Sequence, residues 1–184
     1  MQILRWADRR TMAWKNGGGV THEILVSERQ TPFDWRISIA EIRQDGPFSE
    51  FSGYDRHFCV LEGGVELSLN QQPPLSLTPL TPPLKFSGDD KVSARISQAS
   101  TDLNLMVKKS AYHGDIEPIW LKAQPHFECI YGHLILLTTG HIQVPSQEER
   151  LNPYDCVWMQ SGEVLDLDPE QTEVLIYALR LTPL

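Results

Sequence analysis

Three consecutive glycines lie within a short stretch of chemically varied side chains near the start of the chain. The stretch reads Trp14-Lys15-Asn16-Gly17-Gly18-Gly19-Val20-Thr21-His22-Glu23. An Asn-Gly pair predicts a hairpin turn, and further glycines allow sharp bends or close approach, because no Cβ intervenes. An aromatic ring, a cation, an amide, a hydroxyl and a carboxylate surround them. Two interpretations remain open, a mobile surface turn and one wall of a small-molecule site.

A second candidate is an arginine inside a predicted strand. Residues 34–42 alternate, so that Trp35, Ile37 and Ile39 share one face while Arg36, Ser38 and Ala40 share the other. An unpaired cation at such a position is unfavourable, so Arg36 must meet a carboxylate or water. The candidates are Glu23, Glu41 and Asp102, and a carboxylate of a bound ligand is the alternative.

Polar residues also share one face of a later predicted strand, where Asp102, Asn104 and Met106 alternate with apolar neighbours. If the strands close into a barrel, such faces line its lumen and leave room for a ligand. In an open antiparallel sheet the same faces meet solvent. Arg56 and Lys15 are the other cations in this half of the chain that we consider as ligand-binding residues.

Metal, nucleotide and nucleophile sites receive little support. None of the six histidines forms a His-x-His pair, and His126-Phe127-Glu128, with Cys129 and His133 nearby, is a weak ligand cluster. The glycines are followed by neither the Gly-Lys-Ser/Thr of a phosphate-binding loop nor a helix pattern, although their amides could form an anion-binding nest. Adjacent strand residues point to opposite faces, which argues against His22 with Glu23 as a catalytic dyad. We therefore predict no metal, no cofactor and no catalytic residue.

Composition narrows the function classes. The 184 residues carry a net charge of −8 and no basic stripe, which disfavours nucleic acid and membrane surfaces as partners. The three cysteines are odd in number and are not spaced as in a disulfide framework, as expected for reduced thiols in the cytoplasm. Charged residues interrupt the first 13 positions, so we expect no signal peptide there. The sequence predicts a cytoplasmic protein whose partner is a small anionic metabolite. It is also compatible with assembly as a homodimer.

Short strands and frequent turns predict an all-β protein with little helix. The second half repeats the first in three ordered matches, residues 60–67 with 137–144, 87–89 with 161–163, and 103–107 with 174–178. Such order predicts two copies of one β unit. We place the first unit, with the polar lining, at residues 1–110 and a smaller, mainly structural unit at 111–184.

The sequence resembles the HutD/Ves family of bacterial proteins. The resemblance is carried by Trp14-Lys15-Asn16-Gly17-Gly18-Gly19 with Thr21 and Glu23, by Asp34-Trp35-Arg36-Ile37-Ser38-Ile39-Ala40, by Asp45-Gly46-Pro47-Phe48-Ser49 through Phe51, Gly53 and Arg56, by Leu61 with Gly63, by Phe86 with Gly88-Asp89, and by Asp102 with Asn104 and Met106. It implies a cupin-like (RmlC-like jelly-roll) fold with two β-barrel units in one chain, a bicupin, and a pocket in the first unit. The Hut branch is linked to histidine utilisation and the Ves branch to stress responses.

The residues and the resemblance together indicate a metal-free protein that binds a small organic acid and modulates histidine utilisation or a stress response. The alternative is a metal-free enzyme, an isomerase or hydrolase acting on an amino-acid-derived acid. The predicted ligand-binding residues are Lys15, Asn16, Gly17, Gly18, Thr21, Glu23, Arg36, Ser38, Arg56, Asp102, Asn104 and Met106.

Overall fold

The structure is a computed structural model that describes residues 1–28, 32–122 and 125–184. It confirms the predicted all-β class, since the only helical elements among these residues are two 3₁₀ turns, Trp6–Asp8 and Pro145–Gln147. None of the helices in the described part is long and apolar enough to cross a membrane. Strands are numbered β1 to β20 along the chain.

The chain forms two compact units. Arg10–His113 with Leu184 form the first, which we call the pocket unit, and Met1–Arg9 with Gly114–Pro183 form the second, the companion unit. The division lies three residues beyond the boundary predicted at residue 110. It also differs at residues 1–9, which were expected in the first unit: Gln2–Leu4 forms a strand of the companion unit, and three residues are too short a pattern to assign from sequence.

The pocket unit contains two antiparallel sheets with an apolar core between them. Its strands are β2 (Arg10–Ala13), β3 (Gly19–Val26), β4 (Trp35–Ile42), β5 (Gly46–Pro47), β6 (Tyr54–Glu62), β7 (Val65–Leu69), β8 (Leu75–Leu77), β9 (Leu84–Ser87), β10 (Val92–Arg95) and β11 (Ser100–Lys108). The larger sheet has the order β2-β3-β4-β11-β6-β9 and the smaller one β5-β10-β7-β8. Phe58 and Val60 of the larger sheet pack with Leu67, Val92 and Ala94 of the smaller one.

The companion unit has the same kind of organisation around its own core. Its strands are β1 (Gln2–Leu4), β12 (Tyr112–Leu121, which begins in the pocket unit), β13 (His126–Glu128), β14 (His133–Thr138), β15 (Ile142–Val144), β16 (Glu149–Leu151), β17 (Cys156–Gln160), β18 (Val164–Asp166), β19 (Asp168–Pro169) and β20 (Val174–Pro183). They form sheets of order β1-β17-β14-β20-β12, β13-β18 and β16-β15-β19. Leu134, Val144, Val157 and Ile176 are among the residues of this core.

The matched segments of the two halves occupy equivalent places in the sheets. β6, its turn at Gly63 and β7 correspond to β14, its turn at Gly140 and β15. The order β9-β6-β11-β4 of the larger sheet in the pocket unit has its counterpart in β17-β14-β20-β12. β7 is flanked by β8 and β10, just as β15 is flanked by β16 and β19. The strand order of one unit is therefore largely repeated in the other.

Candidate functional site

The alternation of three central strands places the predicted polar residues on one face of the larger sheet in the pocket unit. β11 is paired with β4 and with β6, so that Met106 lies opposite both Arg36 and Arg56. Asn104 lies opposite Ser38 in the same way. Since neighbouring strands are about 4.8 Å apart, the backbones of the two arginines are separated by about 10 Å. The two guanidinium groups thus approach the same space from either side of β11.

A partly open cavity of about 630 Å³ lies over this face. Its lining residues are Ala13, Trp14, Lys15, Asn16, Thr21, Arg36, Ser38, Ala40, Pro47, Phe48, Ser49, Phe51, Arg56, Asp102, Asn104 and Met106. Nine of the predicted site residues are in this list, and Gly17, Gly18 and Glu23 are not. The structure therefore brings most of the predicted set together around one volume, which is large enough for a small metabolite.

Arg36 is held by a carboxylate of the neighbouring strand. Its Nε donates a hydrogen bond of 2.9 Å to Glu23 Oε2, and the two side chains are 19% and 17% exposed. Glu41, another predicted partner, instead accepts from Arg43 and lies 3.0 Å from His22 Nε2. Arg36 Nη2 also lies 4.0 Å from Met12 Sδ. Glu23 thus fixes one edge of Arg36, whose side chain lines the cavity.

Arg56 has a different environment, because its charge is buried without a carboxylate partner. Its side chain lies against the rings of Phe48, Phe51 and Phe86, with centroids 5.1 to 5.8 Å from Cζ. Nη1 donates to Ser49 O at 3.3 Å and Nη2 to Asn104 Oδ1 at 3.2 Å. Among the described residues it forms no ion pair, and Nε has no acceptor. Desolvation lowers the pKa of Arg56 to about 10, so it remains a cation at neutral pH.

Asp102 lies at the floor of the cavity and is 1% exposed. Asn104 Nδ2 donates a hydrogen bond to Asp102 Oδ1, while Oδ2 has no partner among the described residues. Burial raises the pKa of Asp102 well above its usual value, and the positive charge of Arg56 only partly opposes this effect. Arg56, Asn104 and Asp102 thus form a hydrogen-bonded chain across β6 and β11 that ends in a carboxyl group favoured in its neutral form.

The glycine stretch forms a tight loop between β2 and β3, and its amides are used within the loop. Gly17 adopts a φ of +72° and donates to Trp14 O, while Gly18 N donates to Asn16 Oδ1 at 3.0 Å. A Cβ on Gly19 would lie 2.3 Å from Glu41 O. Because both amides have acceptors in the loop, Gly17 and Gly18 do not form the anion-binding nest considered from the sequence. The glycines let the chain turn closely enough for Asn16 to reach the cavity.

Aromatic residues contribute more to the cavity than the sequence indicated. Trp14, Phe48 and Phe51 all line it, although none of the three was among the predicted ligand-binding residues. Trp14 Nε1 donates to Thr21 Oγ1 at 2.8 Å, which fixes the ring at the cavity wall. The available signal was the aromatic loop of residues 47–51, which precedes the strand that carries Arg56. The cavity therefore combines cations with apolar walls.

Side chains that could support other chemistry lie elsewhere. The described residues contain no group of three or more His, Cys, Asp or Glu side chains placed to hold a metal ion. His126 Nδ1 is 2.8 Å from Asp166 Oδ1 across the pairing of β13 with β18, where both side chains are exposed. His22 lies between Thr11 and Glu41 and does not line the cavity. All three cysteines are buried and free, and burial raises the pKa of each thiol, that of Cys156 to about 12. Such thiols are poor nucleophiles.

Comparison with known proteins gives close relatives over most of the chain. It is 34% identical over 173 residues, 90% of each protein, to an uncharacterized 21.2 kDa protein in the hutC 3' region of Pseudomonas putida. Protein Ves of Citrobacter koseri is 38% identical over 99 residues, 52% of each protein.

Solved structures support the same relationship. HutD from Pseudomonas fluorescens SBW25, in a formate condition, aligns with a TM-score of 0.82 and 31% identity over 100% of this chain and 98% of its own. A cupin 2 conserved barrel domain protein from Leptotrichia buccalis aligns with a TM-score of 0.64 and 9% identity over 94% and 96%, which shows a cupin-like fold. The model of the family described as HutD matches residues 6–177 and so includes every residue that lines the cavity. This chain belongs to the HutD family.

Proposed function

We propose that this protein binds a small organic acid in the cavity of the pocket unit, without a metal, and modulates histidine utilisation. The observation that carries the proposal is Arg56, a buried cation with no carboxylate partner among the described residues, placed at the wall of a partly open cavity. Burying an unpaired charge is unfavourable, and a bound carboxylate would supply the missing counter-charge. Arg36 can present its remaining donors from the other side of β11.

The local charge balance agrees with an anionic ligand. Lys15, Arg36 and Arg56 line the cavity, while Glu23 is occupied by Arg36 and Asp102 is favoured in its neutral form. The whole chain has a net charge of −8, so a positive cavity is a local departure from the rest of the molecule. Such a field attracts anions to one place on an otherwise anionic protein.

Binding is favoured over catalysis by the kinds of residue that line the cavity. Among the described residues, neither a histidine, a cysteine nor a glutamate lines it, and Asp102 is the only carboxyl group there. Asp102 is a single acid–base group, and no second carboxyl group, histidine or cysteine of the described residues lines the cavity to complete a proton transfer with it. The role in histidine utilisation is supported by family membership and by the relative in the hutC 3' region. A role in stress responses, as in the Ves branch, is the alternative.

The proposal extends to the architecture and the cellular location. We propose that the repeated strand order reflects two cupin-like barrels in one chain, the bicupin arrangement. A cytoplasmic location is supported by three free thiols, which persist in reducing compartments.

The test is a thermal-shift screen of formate, acetate, glutarate, 3-phenylpropionate and other small acids, followed by calorimetry and by NMR of the acid after incubation. We expect at least one acid to stabilise the native chain and to remain chemically unchanged. A matched pair of variants assigns the site: Arg56→Met should abolish the effect, while Arg95→Met, an exposed arginine of β10, should preserve it. Turnover of the stabilising acid would favour the enzyme alternative, and the absence of any stabilising acid would refute the proposal.

The regulatory part is tested separately, by measuring expression of the histidine-degrading enzymes with the native gene and with the Arg56→Met gene. We expect the two strains to differ during growth on histidine. Equal expression would refute the link to histidine utilisation and leave acid binding to be judged by calorimetry alone.

A further inference from the structure

The carboxyl groups near the cavity offer little counter-charge to a positively charged group of a ligand. Two carboxyl groups lie beside its cations. Glu23 is occupied by Arg36 through a 2.9 Å hydrogen bond, and Asp102 is buried at the floor. The remaining polar lining consists of amides and hydroxyls, such as Asn16, Thr21 and Ser38, which carry no charge.

Asp102 is the residue on which this charge inventory depends. If it were ionised, it would offer a counter-charge to an ammonium group and would neutralise part of the field of Arg56. Its only hydrogen bond from a described residue is the one that Asn104 donates to Oδ1, and no cation of the described residues forms an ion pair with it. An ionised carboxylate buried in this way is strongly disfavoured, whereas a neutral carboxyl group is tolerated.

The hydrogen-bond pattern indicates where the proton lies. An N–H group of Asn104 points at Oδ1, so that oxygen must offer a lone pair. In the neutral form the proton therefore resides on Oδ2, the buried oxygen without a partner among the described residues. With this assignment the Asn104 amide is also fixed, because its Oδ1 accepts from Arg56. A neutral Asp102 thus holds Asn104, and through it Arg56, in the orientation that the cavity shows.

We propose that the cavity selects carboxylic acids that lack a protonated amine, and that Asp102 is the positioning residue that sets this preference. The inference rests on the proposed function, and it names the class of acid. A free α-amino acid would place its ammonium group among Lys15, Arg36 and Arg56 without a counter-charge, and like charges in such a site strongly oppose binding. Deaminated or N-acylated acids carry the same carboxylate without this repulsion.

The experiment compares two size-matched pairs by calorimetry at pH 7: glutarate with glutamate, and 3-phenylpropionate with phenylalanine. We expect the acid of at least one pair to bind and its amino-acid counterpart to bind at least about tenfold more weakly. Equal or tighter binding of the amino acid would overturn this inference and leave the proposed function standing. Binding by neither member of either pair, nor by any acid of the thermal-shift screen, would refute the proposed function itself.

The variant Asp102→Asn tests the role of the residue, because an amide has the shape of a neutral carboxyl group and donates from the same place. We expect Asp102→Ala, which leaves Asn104 without its acceptor, to weaken acid binding about fivefold or more, and Asp102→Asn to rescue that loss because its amide holds Asn104 as a neutral carboxyl group does. An ionised Asp102 predicts a different result, since its removal would strengthen acid binding about tenfold or more and weaken the amino acid. Asp166→Asn, an exposed residue of the companion unit, is the matched control and should change neither affinity.

A spectroscopic measurement on the native chain keeps the inference falsifiable if Asp102→Asn does not fold. The carboxyl ¹³C resonance of Asp102 should lie at the position of a protonated acid at pH 7, the pH of the calorimetry. A carboxylate resonance at pH 7 would overturn the inference, whatever the variant does.

Discussion

Replacement of Arg56 by methionine tests whether this residue serves the fold or a ligand. Arg56 is 7% exposed, and desolvation lowers its pKa from 12.5 to about 10. At about 1.4 kcal/mol per pKa unit, charging this side chain in the folded chain is disfavoured by about 3 kcal/mol. The substitution Arg56→Met removes that penalty and keeps a long, flexible side chain among the three phenylalanine rings.

The interactions that Arg56→Met removes are of similar free energy to the desolvation penalty that it relieves. The hydrogen bonds to Ser49 O and Asn104 Oδ1, at 3.3 and 3.2 Å, contribute about 1 kcal/mol each. Contacts of the guanidinium with the phenylalanine rings are replaced by sulfur–aromatic contacts of comparable strength, about 1 kcal/mol each. The net change in the free energy of unfolding is therefore expected within about 1 kcal/mol of zero, which corresponds to about 2–4 °C in Tm for a chain of this size.

Arg36→Met is the control, and we expect this variant to be less stable than the parent. It leaves Glu23 without its partner at a site where both side chains are less than a fifth exposed. We expect a loss of about 2 kcal/mol, between the values for exposed and buried pairs. Urea unfolding measures both variants, provided that the slope of each transition equals that of the parent.

Calorimetry with an acid that stabilises the parent completes the test. Arg56→Met should weaken binding about thirtyfold or more, since removal of one member of a desolvated charge pair changes the binding free energy by about 2 kcal/mol or more. A loss of about 3 kcal/mol in stability together with unchanged affinity would refute the reasoning. Arg56 would then be part of the scaffold.

Three further results are expected. Gly19→Ala should destabilise the chain by about 2 kcal/mol or more in urea, because the new Cβ would lie 2.3 Å from the backbone oxygen of Glu41. Asp102→Asn should be more stable than the parent at pH 7 and equal to it below about pH 4. Because the pKa of Asp102 is raised on folding, the folded parent binds more protons than the unfolded parent, and its stability falls as the pH rises above the unfolded pKa of about 3.9. Arg180→Lys should change stability by less than about 0.5 kcal/mol, since its pair with Glu117 is about half exposed, and a larger loss in the same urea assay would contradict this.

The fold was accessible from local sequence patterns because both faces of the central strands follow a period of two. Ile37 and Ile39 alternate with Arg36 and Ser38, and the same alternation in residues 102–106 fixes which side chains meet once the strands pair. The internal repeat was visible for a similar reason, since turn glycines such as Gly63 and Gly140 mark equivalent corners in both units. Residues 1–9 were misplaced because β1 is only three residues long, and its partner β17 is about 150 residues away in the sequence.

The roles within the site were less accessible, because they depend on which long side chain reaches which acceptor. From the sequence, a carboxylate of the protein and a carboxylate of a ligand were both open as partners of Arg36, and Arg56 was also among the predicted ligand-binding residues. The structure shows that Glu23 occupies one edge of Arg36, while Arg56 has three phenylalanine rings and no carboxylate. That difference arises from the loop carrying Phe48 and Phe51, whose position over β6 is set by tertiary packing.

The burial of Asp102 follows from the same packing. On an open antiparallel sheet its side chain would face water and ionise in the usual range. The loop over β6 and the rings around Arg56 remove that water, and the pKa of Asp102 rises although a cation is nearby. Desolvation therefore outweighs the attraction of Arg56 in its effect on the pKa of Asp102. The aromatic loop over the polar sheet face thus leaves Arg56 without an ion pair among the described residues and favours the neutral form of Asp102. A ligand carboxylate fits that combination, because it provides the counter-charge that Asp102 does not.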